Sequence, residues 1–164
     1  MKNSARTATG ITLCTAIALS AMPWAPNACA DNRRLNASVV ANVYTIQHQA
    51  GCTNNIAVDA KLLEAARWHT LDVLNNRSLD ADVGSDDSTP QTRATNAGFR
   101  GQVAQTVAIN PSLAINNLDV MNQWYYRPDY LAIMQNCAFT RMGVWSENSL
   151  DRSVLVAVYG SPEV

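Results

Sequence analysis

Two cysteines, Cys52 and Cys137, most constrain how this chain can fold, because they lie 85 positions apart in a chain that reads as exported. The N-terminus carries Lys2 and Arg6, continues through an apolar or small run from Gly10 to Met22, and reaches Ala28-Cys29-Ala30. These are small residues of the kind signal peptidase accepts at −3 and −1. Residues 1–30 are therefore read as a signal peptide cleaved after Ala30, which removes Cys14 and Cys29. Lipid anchoring through Cys29 is the alternative, although "APNAC" lacks the Leu expected three residues before a lipidated cysteine. No later segment approaches the roughly 18 apolar residues of a transmembrane helix, so the mature chain is expected outside the cytoplasm, secreted or in the cell envelope. In an oxidising compartment the two remaining cysteines pair more often than they persist as buried thiols. Such a bridge stabilises by roughly 4 to 5 kcal/mol through loop closure. It also takes thiol catalysis away from both residues.

Residues 31–164 are long enough for one domain with an ordinary core. Removing Lys2 and Arg6 leaves ten cations against thirteen acids, a net charge of −3 with no basic run. Phosphate binding needs clustered positive charge, so nucleic acid is not an expected partner. Helices come first. Val39, Val40, Val43, Tyr44 and Gln47 follow helical spacing up to Gly51. Asp59 can cap a second helix in which Leu62, Leu63, Ala66, Thr70 and Val73 line one side, while Lys61, Glu64, Arg67 and Asp72 lie mostly away from it. "STPQTRATNAG" reads as a short helix with Ser88 or Thr89 as cap, Pro90 at its first position and Gly98 as stop. "QVAQTVAIN" places Val103, Gln105, Val107 and Ile109 on one face of an extended segment. A third long helix is expected from about Ser112 to Tyr126, with Ala114, Leu118, Met121 and Tyr125 at core spacing and Pro128 ending it. "FTRMGVWS" and "SVLVAVYG" close the chain as strands joined by "ENSLDR". Helices packed on a small antiparallel sheet make the fold α+β.

"LDADVGSDD", residues 79–87, gathers Asp80, Asp82, Asp86 and Asp87 as a calcium loop would. An EF-hand needs acids or Asn at positions 1, 3 and 5, Gly at 6 and Glu at 12. Counted from Asp80, position 5 is Gly84, position 6 is Ser85 and position 12 is Gln91. The calcium pattern fails. What remains is a solvated polar loop or the relic of another site.

The order of "AKLLEAARWHTLDVL", "ADVGSDDSTPQTRATNAGF", "VAQTVAIN", "MNQWYYRPDYLAIMQNCAFTRMGVW" and "VLVAVYG" resembles the bacterial SCP-like branch of the CAP superfamily (cysteine-rich secretory, antigen 5 and pathogenesis-related proteins). The resemblance covers nearly all of residues 31–164 and implies an α-β-α sandwich. It also implies a cavity lined by two His and a Glu that can hold a divalent metal. At the matching positions this chain has Ala81-Asp82, Ala104-Gln105-Thr106 and Asp129-Tyr130-Leu131. Both imidazoles and the carboxylate are replaced, by Asp82, Gln105 and Tyr130. Zinc favours neutral imidazole with carboxylate support, so a cavity without metal or cofactor is expected.

His48 lies near the end of the first helix, where a cation suits the dipole or faces solvent. His69, three residues before Asp72, reads as a packing or hydrogen-bonding residue ahead of a ligand. Trp124, Tyr125, Tyr126 and Tyr130 read first as a core cap with polar rims, and second as a wall for an apolar or extended ligand. Binding candidates are thus Asp82, Gln105 and Tyr130, with His69, Trp124 and Tyr126 behind them. The leading functional expectation is a secreted, non-catalytic domain that binds a lipid, an envelope component or a protein. A hydrolase using the acidic loop with His69 is the rival, and a structural envelope protein without a small ligand is the third reading. Asp82→His, Gln105→Glu and Tyr130→His together should create micromolar zinc binding in a protein that has none, checked by calorimetry.

Overall fold

A computed structural model describes residues 28–79 and 82–163. Apart from Ala28, Cys29 and Ala30, the expected signal peptide lies outside the described residues, as do Asp80 and Ala81. Helix α1 (Ala28–Gln49) turns Val39, Val43 and Ile46 into the core at helical spacing. Gln47 is fully buried beside them, and its Nε2 donates to the carbonyls of Asn136 (3.1 Å) and Phe139 (3.0 Å). Those contacts satisfy its amide nitrogen, while its buried Oε1 has no partner among the described residues, and they hold the loop that carries Cys137. Gly51, at φ +94°, lets the chain leave the helix. Cys52 then bridges to Cys137 with a Cα–Cα distance of 5.3 Å, as expected.

Strand β1 (Ala57–Val58) leads into α2 (Ala60–Asn75), whose N-cap Asp59 accepts from the amides of Lys61 (2.8 Å) and Leu62 (3.2 Å). Helix α2 buries Leu62, Ala65, Ala66, His69, Thr70 and Val73. It lies directly on the sheet at Gly143, where a Cβ would come within 2.1 Å of the Leu62 backbone. Helix α3 (Pro90–Asn96) has Thr89 as cap and Pro90 in its first turn, and Gly98 follows it at φ +89°. After strand β2 (Gly101–Asn110) come α4 (Asn117–Tyr125), α5 (Pro128–Met134), β3 (Arg141–Asn148) and β4 (Ser153–Pro162).

The sheet order is β1-β3-β4-β2. Strand β4 runs antiparallel to both neighbours, with Val156 opposite Val107 on one side and Trp145 on the other. Side-chain alternation divides the interior in two. Ala108, Met142, Val144, Leu155, Ala157 and Tyr159 pack against α1, α4 and α5. Val107, Val154, Val156 and Val158 pack with α2, α3 and Phe99. Helices therefore cover both faces of the sheet, as the α-β-α expectation requires. The short β1 pairs in parallel with β3, Ala57 opposite Arg141, and makes the sheet mixed; two residues carry no periodic pattern by which sequence could reveal them.

Strand β2 is an edge, and side chains occupy several of its outward backbone groups. Gln91 Oε1 accepts from the Val103 amide (3.2 Å) and its Nε2 donates to the Gly101 carbonyl (3.0 Å). Gln123 Oε1 accepts from the Ile109 amide (3.0 Å), and the Tyr130 phenol lies near the Val107 backbone. These residues alternate along the strand, as the outward-facing set of an antiparallel edge must.

The third helix departs from expectation. It begins at Asn117 rather than Ser112, because Asn116 and Asp119 form a capping box. It buries Val120 and Trp124, while Leu118 is 67% exposed and Tyr125 45%. The chain has apolar residues on two stripes of this helix, and the neighbouring elements decide which one is used. Pro128 does not simply end it but opens α5 in its first turn.

The bridge generates a direct test. Thiol labelling of the denatured, unreduced mature chain should find no reactive cysteine, and Cys52→Ala should lower the melting temperature by several degrees or more. Stoichiometric labelling would contradict the pairing.

Candidate functional site

The loop between α2 and α3 is folded around its own polar groups. Gly84 N–H donates to the Ser88 carbonyl (2.9 Å), the Asp87 amide to the Gly84 carbonyl (3.0 Å), and the Ser88 amide to Asp86 Oδ1 (3.0 Å). Asp87 adopts φ 60° at the bend. From α2, Asp72 accepts from the Ser85 amide and hydroxyl, both at 2.7 Å, and from Asn76 Nδ2 at 2.7 Å. Burial pushes the Asp72 carboxyl upward, but these hydrogen bonds outweigh it and hold the group below the usual aspartate range. Asp86 is likewise lowered, by Ser88 first.

Arg93 of α3 stands at the centre of this loop, 5% exposed. Its Nη1 donates to the Ser88 carbonyl (2.7 Å) and hydroxyl (3.0 Å). Its Nη2 donates to the Asp82 carbonyl (2.7 Å) and to Gln105 Oε1 (3.1 Å). Burial pulls its pKa down, and the charges of Asp82, Asp86 and Asp72 oppose that pull. Gln105, buried on β2, completes the arrangement by donating from Nε2 to Asp82 Oδ1 (3.2 Å). Tyr130 reaches the same strand from α5, at the Val107 backbone two residues on, with the Arg127 guanidinium 3.8 Å above its ring. Burial is the main cause that raises its phenol pKa, and the Asp82 charge adds to it.

The structure thus joins Asp82 to Gln105 directly and brings Tyr130 to the neighbouring backbone. His69 is fully buried in α2, where its charge contributes to lowering Asp72 one turn away. His48 is exposed and bonds its own helix at the Tyr44 carbonyl (2.9 Å), its ring 4.0 Å from that of Tyr44. The aromatic cluster splits: Trp124 and Tyr130 are core residues, whereas Tyr126 is 77% exposed and meets Tyr125 edge-on at 5.6 Å. Arg93 is the site residue that sequence reasoning missed. A lone cation six residues beyond a run of acids was the available signal.

These donors do not fit a divalent metal. Gln105 presents its oxygen to a guanidinium and its amide nitrogen to Asp82, Tyr130 is a phenol that resists ionisation, and Arg93 already brings positive charge into the space. Among the described residues no three His, Cys, Asp or Glu side chains converge to hold an ion.

No sequence-family profile matches the chain, and no curated protein matches it in sequence. Solved structures do match. An outer surface protein from Borrelia burgdorferi superposes with a TM-score of 0.69 at 15% identity, over 81% of this chain and 96% of that one. An extracellular protein containing an SCP domain from Bacillus anthracis gives 0.62 at 12%, over 84% and 45%. A cysteine-rich secretory protein from Staphylococcus aureus gives 0.59 at 11%, over 81% and 40%. This chain therefore spans less than half the length of the latter two.

Two outcomes test this geometry. Arg93 revises the expectation for zinc: a carboxylate at position 105 would pair with the guanidinium, so the Asp82→His, Gln105→Glu, Tyr130→His variant should show no micromolar zinc binding by calorimetry while Arg93 is intact. Micromolar binding would mean that the guanidinium moves aside. The second concerns Asp72, whose depressed pKa contributes stability above the ordinary aspartate range, lost as pH falls through the lowered value. Asp72→Asn should cost on the order of 1 kcal/mol at neutral pH. Thermal melts should show that difference shrinking as pH drops from about 5 to about 2.

Proposed function

On the CAP-superfamily fold that this chain carries, we propose an exported, non-catalytic binding domain that works at a lipid surface of the cell envelope through the outer face of α4. The observation that supports it is the second apolar stripe of that helix: Leu118 and Tyr125 share a side of α4, Tyr126 projects beside them, and Leu113 is 59% exposed in the preceding loop. At roughly 200 Å² per tyrosine the two rings present about 240 Å². With the leucines the patch still falls short of the roughly 800 Å² per partner that a stable protein interface buries. Exposed Leu and Tyr side chains on one side of a helix suit the headgroup–acyl boundary. The neighbouring Asp129 charge is paired with Arg127 at 2.8 Å.

Export is supported by the N-terminal pattern and by a disulfide that persists in oxidising compartments. Among the described residues, no helix is long and apolar enough to cross a membrane. A hydrolase would need a base that substrate can reach. His69 is fully buried, out of reach of a substrate, which weighs against its use as that base.

Co-sedimentation with phosphatidylcholine vesicles tests the proposal. The mature protein should bind them, bind phosphatidylglycerol vesicles similarly, and resist added salt. Leu118→Asp with Tyr125→Ser should weaken binding about tenfold, equivalent to ~1.4 kcal/mol, without changing the melting temperature. Absence of vesicle binding by the unaltered protein would end the lipid reading and leave the structural envelope role.

A further inference from the structure

The acidic loop fails as an EF-hand, yet it surrounds a cation. The Arg93 guanidinium is held by four oxygens at 2.7 to 3.1 Å: the Asp82 carbonyl, the Ser88 carbonyl and hydroxyl, and Gln105 Oε1. All four are neutral. The compensating negative charge comes from Asp72, Asp82 and Asp86 around them. Neutral oxygens from a loop and a facing strand meet the guanidinium directly. The carboxylates lie around that shell, bonded to Ser85, Asn76, Ser88 and Gln105, a setting of oxygen ligands and net negative charge that suits a cation. The loop is shaped to this purpose, since a Cβ at Gly84 would come within 2.7 Å of both Asp86 Oδ1 and Ser88 Oγ. Arg93 is also not fully used by its surroundings: its buried Nε has no hydrogen-bond partner among the described residues. A guanidinium evolved only as a structural clamp would be expected to spend that donor as well.

We propose that loop 82–88 and Gln105 form a cation-binding cage whose resident cation is the tethered guanidinium of Arg93, and that the cage accepts a free guanidinium or a calcium ion once that side chain is removed. The inference is independent of the lipid-facing role of α4. It turns the mismatch with a metal site into a positive statement: the cavity keeps a cation, supplied by the chain itself. Exchange of a small, diffusible ion for a covalently attached one makes occupancy independent of the ionic composition outside the cell.

The test compares Arg93→Lys, Arg93→Met and Arg93→Ala. Lysine keeps a compact charge in the cage but loses the planar fork, whereas methionine keeps the length without the charge. Arg93→Lys should melt within a few degrees of the unaltered protein, and Arg93→Met should melt roughly 5 °C or more below Arg93→Lys. Arg93→Ala, where folded, should be stabilised by millimolar guanidinium chloride beyond sodium chloride of equal ionic strength. It should also bind calcium by calorimetry, and the unaltered protein should not. Equal melting temperatures for the Lys and Met variants would overturn the proposal even if Arg93→Ala does not fold. So would a folded Arg93→Ala that responds to neither cation, or calcium binding of equal strength with Arg93 in place.

Discussion

Burying strand β4 on both faces commits this chain to three layers. Every residue from Ser153 to Gly160 is buried, and a strand in that position must satisfy its backbone through neighbours on either side and cover two rows of side chains. β2 and β3 supply the ladders. The odd row, Leu155, Ala157 and Tyr159, recruits α1, α4 and α5; the even row, Val154, Val156 and Val158, recruits α2 and α3. Gly143 and Gly160 then set how closely the second layer approaches, because a side chain at either would collide with α2 or Phe99. The loop that carries Arg93's partners lies between α2 and α3, so its position follows from the same packing.

Some polar groups inside this frame are met by more than one partner. Gln47 ties two carbonyls of the Cys137 loop, and Thr70 bonds both the Ala66 carbonyl (2.8 Å) and the Trp145 carbonyl (3.2 Å). Arg93 is the costliest case, a charge removed from water, and accordingly has four oxygens and three nearby carboxylates. A buried ion arrangement of this type fixes geometry more reliably than it adds stability. Here the geometry fixed is the relation of an irregular loop to β2.

Much of the fold was legible because its signals are local. The Asp59 and Thr89 caps, Pro90, the glycines at 51 and 98, and the alternation in β2 each act within a few residues, and each stands where the sequence placed it. The paired cysteines were legible from compartment rather than geometry. The phase of α4 was not legible, because Leu118/Met121/Tyr125 and Val120/Trp124 are both acceptable apolar stripes until α1 and β2 choose between them. In the site, resemblance to a family brought forward Asp82 and Gln105, which do touch, and Tyr130, which reaches the adjoining backbone. Arg93 stayed hidden because neither periodicity nor a ligand motif marks an arginine that folds back onto the acids preceding it.

The covering of β2 has a consequence for how copies of this chain can meet. An edge strand with bare amides and carbonyls is a template on which another chain can add a strand. In this molecule Gln91 and Gln123, drawn from two different helices, have already taken outward groups at Gly101, Val103 and Ile109. The carboxamides imitate a neighbouring strand one residue at a time but cannot propagate it. Copies that meet along this edge would find those groups already taken, and the side chains that take them cannot extend the ladder.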